Sequence, residues 1–190
     1  MSDHESDYVP PPAVDPEALL KEAEGAGDAA LAEYTKKLLG ENYSPADDDR
    51  RVVILELRVI CENRPGGDIV YTLDDAASLK AMKKNPFTLK EGCKYKLQVT
   101  FRVQHKIVSG LKYKNVVKKK IVTVDTNTEM MGSYPARKEP HVVCFPRHGW
   151  EEAPSGTMAR GGFSAKSQFV DDDKNKYLEY EYTFKIAKDW

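Results

Sequence analysis

The chain has 190 residues, 41% of them hydrophobic, and a formal net charge of −1, which is enough for one good core and too short for a second full domain. The near-neutral total hides a division: residues 1–50 hold thirteen acidic and four basic side chains, and residues 51–190 hold seventeen and twenty-five, so an acidic arm precedes a basic body. No apolar run of about 18 residues is available to cross a bilayer, and MSDHESDYVPPP at the start lacks the basic and apolar regions of a secretion signal; a soluble, cytoplasmic protein is expected.

In chain order, prolines that favour an extended conformation come first, followed by two helix signals. Asp15 is placed to cap a first helix, with Pro16 at its first position, and Gly25 and Gly27 end it. Asp28 is placed to cap a second, in which Leu31, Tyr34, Leu38 and Leu39 share one stripe up to Gly40. Isolated helices of about ten residues are marginal in water. The stripe therefore predicts burial, either on the protein's own sheet or on a partner that orders it. SPADDD at 44–49 reads as a hinge, dividing a regulatory arm of two short helices over 1–50 from a body over 51–190.

From residue 51 the period becomes two. Leu55, Leu57 and Val59 alternate with Glu56 and Arg58; Tyr95, Leu97, Val99, Phe101 and Val103 with Lys96, Gln98, Thr100 and Arg102; Leu178, Tyr180, Tyr182, Phe184 and Ile186 with Glu179, Glu181, Thr183 and Lys185. Half-buried antiparallel strands carry this pattern. Turn signals separate the runs at RPGGD (64–68), LKEG (89–92), SG (109–110), APSG (153–156) and DDDKNK (171–176). The expected fold is all-β: an immunoglobulin-like β-sandwich with an N-terminal, partly disordered helical arm. The disulfide of antibody domains is missing. Cys61, Cys93 and Cys144 are odd in number and lack Cys-x-x-Cys spacing, so they read as reduced thiols.

HKIVSGLKYKNVVKKKIVTVD, residues 105–125, packs six lysines around apolar residues. The imperfect alternation of Lys112, Lys114, Lys118 and Lys120 with Tyr113, Val117, Lys119 and Ile121 suits a solvated edge hairpin, where lysines also discourage pairing with other chains. Aromatics do not interleave with the cations as nucleic-acid recognition would want. Nucleic acid is therefore not expected as a partner. His4, His105, His141 and His148 have no metal-ligand spacing and read as surface or loop residues. No phosphate loop, nucleophile elbow or paired Cys/His arrangement appears. The sequence predicts neither an enzyme nor a cofactor or metal.

FTLKEGCKYKLQVTFRVQHKIVSGLKY (87–113), MGSY (131–134), EEAPSGTMARGGFSAKSQFVDDDK (151–174), KDW (188–190) and DAALAEYTKKLLG (28–40) closely resemble the Rho GDP-dissociation inhibitors, in order over roughly residues 28–190. The resemblance implies a sandwich that shelters an isoprenoid between its sheets and an arm that docks on a GTPase. Its partners would be prenylated Rho/Rac-type small GTPases, the GDP-bound form favoured, together with their isoprenoid, and it would have no stable membrane association of its own. By family position the prenyl pocket would draw on Leu57, Val59, Phe87, Tyr95, Leu97, Val99, Ile107, Met158, Phe163, Ala165, Tyr180 and Tyr182. Asp28, Leu31, Tyr34, Leu38 and Leu39 would meet the GTPase switch regions. Asp125, Asp171, Asp172 and Asp173 would face the basic C-terminal region of the GTPase.

Holding both switches in one state would slow GDP release without any chemistry, and removing the lipid from one of two membrane-anchoring signals would extract the GTPase. The sequence departs from the family where Tyr180 and Tyr182 replace tryptophans, where Ala30 and Thr35 replace a serine and a lysine, and where Pro86 and Gly162 occupy kinase-targeted serine positions. The alternative is a general prenyl or lipid shuttle resembling the delta subunit of rod phosphodiesterase, which would have no need of the arm.

Overall fold

The computed structural model describes Gly25, Ala30 and residues 43–190. The two arm helices expected from the sequence otherwise lie outside the described residues. Contacts divide the chain into Met1–Glu41 and Asn42–Trp190, and the second unit forms the sandwich.

Its elements run β1 (Val52–Cys61), β2 (Ile69–Thr72), α1 (Ala76–Lys84), β3 (Phe87–Lys90), β4 (Lys94–Val103), β5 (Val108–Lys119), β6 (Val122–Tyr134), β7 (His141–Phe145), β8 (Glu151–Glu152), β9 (Gly161–Val170) and β10 (Lys176–Ala187). One sheet has the order β2-β1-β4-β7, with β8 also on β4; the other has the order β3-β10-β9-β5-β6. Every pairing is antiparallel except β3 on β10. The alternation read from the sequence sets the inward faces. Val59 and Leu57 of β1 lie opposite Leu97 and Val99 of β4, and Leu57, Val99, Phe101 and Val103 are buried. Tyr180, Tyr182 and Ile186 do the same on β10.

The chain kinks at Ser109-Gly110, as the turn signal suggested, but inside β5 as a bulge. Gly110 has a left-handed φ of 59°, and a Cβ there would sit 1.7 Å from Asp172 Oδ2. Only glycine leaves room for the acidic turn. Helix α1 was not anticipated. It starts where the Asp75 carboxylate accepts from Ala77 and Ser78 N–H, both at 2.8 Å, a standard N-cap. Met82 is its one buried residue, so it lacks the apolar stripe that marks a helix in sequence.

Two further readings are corrected. SPADDD is not a free hinge: His105, itself in a left-handed conformation, bonds Ser44 Oγ through Nδ1 and Asp48 O through Nε2, each at 2.7 Å, and its N–H donates to Tyr43 O at 2.8 Å. His141 is buried rather than superficial. It stacks on Phe101 at 5.4 Å with Nε2 3.1 Å from Pro135 O, and burial pushes its pKa below the ordinary value.

Candidate functional site

Between the sheets lies a cavity of about 600 Å³, well inside the range of roughly 300–1,000 Å³ typical of small-ligand sites. Tyr95 and Leu97 of β4 and Val59 of β1 form one wall. The facing wall is an aromatic ladder. Phe184 stacks on Phe163 at 5.0 Å and on Phe87 at 5.5 Å, and Phe87 lies 6.1 Å from Tyr182. Ladders of this kind present flat, low-entropy apolar surface to a ligand.

The wall is not uniformly apolar. Tyr113 OH lies 2.9 Å from Ser167 Oγ, which donates to Asn115 Oδ1 at 3.1 Å, and Tyr182 OH donates to the same oxygen at 3.4 Å. Burial pushes both tyrosine hydroxyls well above their ordinary pKa. They stay protonated and act as neutral hydrogen-bonding groups. Tyr95 is raised likewise, by burial and then by the Glu151 carboxylate beside it.

Carboxylates gather on the lining at Asp125 and Glu129 of β6 and at Glu151 and Glu152 of β8. The loop carrying Met158 is tied from two sides. Glu91 accepts from Arg160 at 2.6 and 2.8 Å and from Gly156 N–H at 3.0 Å; Lys119 Nζ donates to the carbonyls of Met158 at 2.6 Å and Arg160 at 2.8 Å. That holds Met158, 91% exposed, at the opening.

Of the pocket residues expected from the sequence, Val59, Phe87, Tyr95, Leu97, Met158, Phe163 and Tyr182 line the cavity. Leu57, Val99, Ala165 and Tyr180 instead belong to the filled core. Ile107 is also displaced from the wall, its carbonyl accepting from Arg51 Nη2. The sequence reading missed Tyr113, Asn115, Val117, Phe145, Phe184 and Ile186 on the wall and Glu129, Glu151 and Glu152 at its edge. A signal existed for some: Tyr113, Asn115 and Val117 alternate within the lysine-rich stretch, and Phe184 and Ile186 continue the face of Tyr182.

The four aspartates grouped by the sequence reading separate. Asp125 stands opposite Val117 on β5, whereas Asp171 follows Val170, which stands opposite Lys112. Asp171 is buried and accepts from Tyr177 OH at 2.6 Å and from Asn175 N–H and Nδ2 at 2.8 and 2.9 Å. Burial alone would raise its pKa, but those donors together with Arg51 hold it below the ordinary value. Asp172 pairs with Lys112 at 2.7 Å. Of the three aspartates in that turn, only Asp173 is exposed. The switch-contact residues Asp28, Leu31, Tyr34, Leu38 and Leu39 lie outside the described residues.

No group of three or more His, Cys, Asp or Glu side chains that could hold a metal occurs among the described residues, and no helix among them is long and apolar enough to cross a membrane. The sequence profile of the family described as RHO protein GDP dissociation inhibitor matches residues 2–189. The chain belongs to the Rho GDP-dissociation inhibitor family. A Dictyostelium discoideum protein bearing the name rho GDP-dissociation inhibitor 1 is 46% identical over 96% of this chain and 91% of its own. The Rho GDP-dissociation inhibitor of Schizosaccharomyces pombe is 39% identical over 87% and 79%, and Rho GDP-dissociation inhibitor 1 of Homo sapiens is 40% identical over 86% and 78%. Rho GDP-dissociation inhibitors are regulators rather than enzymes, and family membership implies Rho-family GTPases as partners.

Proposed function

We propose that this Rho GDP-dissociation inhibitor binds prenylated Rho-family GTPases, preferring the GDP form, by taking the isoprenoid into the cavity between its sheets while the N-terminal arm clamps the switch regions. The observation that carries this reading is the cavity itself, whose walls are mostly apolar and whose lining includes four carboxylates. At about 0.8 kcal/mol per buried CH₂, an isoprenoid of about twenty carbons carries on the order of ten kcal/mol of incentive to leave water. A bilayer and an apolar cavity compete for it on similar terms. Carboxylates beside the opening suit a basic segment next to the lipidated cysteine, so the tail and the residues preceding it are recognised together.

Asp28, Leu31, Tyr34, Leu38 and Leu39 are assigned to the switch regions, where fixing both switches slows GDP release. With the lipid withdrawn, one of the two signals needed for stable anchoring is gone, and the complex leaves the membrane for the cytoplasm. Titration with GDP-loaded Rho-type GTPase in prenylated and unprenylated forms tests the reading. The prenylated form is expected to bind at least about a hundredfold more tightly, a difference that a few buried methylenes supply. Equal affinity overturns it.

A further inference from the structure

The lysine-rich hairpin is left without a role by the cavity alone. Its turn places Ile121 at the apex, 93% exposed, with Val122 at 60% beside it, and Lys120 adopts the left-handed conformation that closes the turn. Lys119 reaches from this tip to the carbonyls of Met158 and Arg160 and lies 5.2 Å over the Phe163 ring. The tip and the Met158 loop therefore form one surface. Lys119 and Met158 also line the cavity, so that surface is continuous with the opening.

Charge separates this surface from the rest of its sheet. Lys112 pairs with Asp172 and Lys166 with Glu179, each at 2.7 Å. Lys114, Lys118 and Lys120 are exposed and make no ion pair among the described residues. We propose that the β5–β6 tip is a docking point for an anionic lipid bilayer, with Ile121, Val122 and Met158 entering below the headgroups and Lys118 and Lys120 bound among them.

Protruding apolar side chains ringed by long cationic ones fit an interface in which hydrocarbon lies under a layer of negative charge. A protein groove would want a concavity, and here the apolar side chains stand out from the fold. Each lysine near an anionic surface adds a modest attraction, and two or three with a small apolar wedge give weak, reversible binding. The carboxylates set the approach. Asp125, three residues beyond Val122, and Glu151 and Glu152 would be repelled by anionic headgroups, so the protein meets the bilayer tip-first, with these carboxylates held off the headgroups and Met158 of the cavity lining nearest the lipid. This deepens the proposed function, on which its purpose rests, by giving the same cavity a membrane to face.

Cosedimentation of the full chain with vesicles of phosphatidylcholine, or of phosphatidylcholine and phosphatidylserine in equal amounts, tests it. The expected result is partition onto the anionic vesicles only, weakening as salt rises, reduced about tenfold or more by Ile121→Asp with Val122→Asp and by Lys118→Glu with Lys120→Glu. Absence of partition by the unmodified chain overturns the proposal, as does binding that ignores both double variants. A dimer seen by sedimentation equilibrium and dissolved by Ile121→Asp assigns the tip to a second copy and also overturns it. Titration with a fluorescent prenylated peptide, without vesicles, separates the two readings: the tip variants are expected to bind it as the unmodified chain does. Failure of the unmodified chain to bind the peptide removes the cavity reading and leaves the vesicle result standing.

Discussion

One half of the sandwich interior is filled and the other is hollow, although strands with the same alternation build both. Around Phe101 and Phe169 every neighbour is matched. Both rings are fully buried, as are Leu111 and Met131, and Phe101 meets Tyr134 edge-on at 4.9 Å. Along the same strands, Phe163 and Phe184 are only half-buried and face open volume. Alternation fixes which side of a strand looks inward. It leaves open whether the volumes meeting there add up to a solid, because that sum runs over residues far apart in sequence.

The sharpest way to break this distinction is to truncate one ring in each half. Phe169→Ala should cost about 3–5 kcal/mol, the range for a large ring removed from a close-packed core, in urea unfolding. Phe163→Ala should cost clearly less, since the ring already borders empty space, and should weaken prenylated-peptide binding instead. Equal stability losses would mean that the cavity closes in solution.

Next in size is Asp171, whose hydrogen bonds from Asn175 and Tyr177 close the β9–β10 turn and which forms an ion pair with Arg51 at 3.8 Å. Asp171→Ala should cost about 1–3 kcal/mol, the penalty for stranding buried donors. Because its pKa is lowered in the folded state, its contribution is complete above about pH 4 and is lost as pH falls through the lower folded value. Stability curves of the variant should be flatter in that acid range; an unchanged slope would show the carboxylate to be unimportant.

His141 operates in a different window. Its folded pKa is lowered by burial, so the neutral ring is favoured and its share of stability is full above about pH 6.5, declining below as the unfolded chain takes up the proton. His141→Phe should remove that decline. Thermal midpoints between pH 7 and 5 that fall equally in both proteins would contradict it.

The smallest effect is expected at Tyr180, whose buried hydroxyl lies near those of Ser167 and Tyr113 but makes no well-formed hydrogen bond among the described residues. Tyr180→Phe should stabilise by about 1 kcal/mol or less by removing an unmet polar group. A clear destabilisation would mean that the hydroxyl is satisfied, for example by water.

The sequence made β1, β4 and β10 legible because their period-two runs are long and end in turn residues. Helix α1 stayed hidden because a single buried Met82 leaves no periodic stripe. Seven of the residues named through family resemblance line the cavity, and Leu57, Val99, Ala165 and Tyr180 face the same interior at filled positions. Glu151 and Glu152 escaped notice because a two-residue strand has no pattern. Their place is set by pairing with Tyr95 and Lys94.

The grip of His105 on Ser44 and Asp48 has a consequence for the stretch it holds. Residues 43–48 are fastened to the β4–β5 turn by one imidazole held at both nitrogens. Exchange at position 105 would remove both side-chain bonds together and speed amide exchange in that stretch, with the cavity untouched.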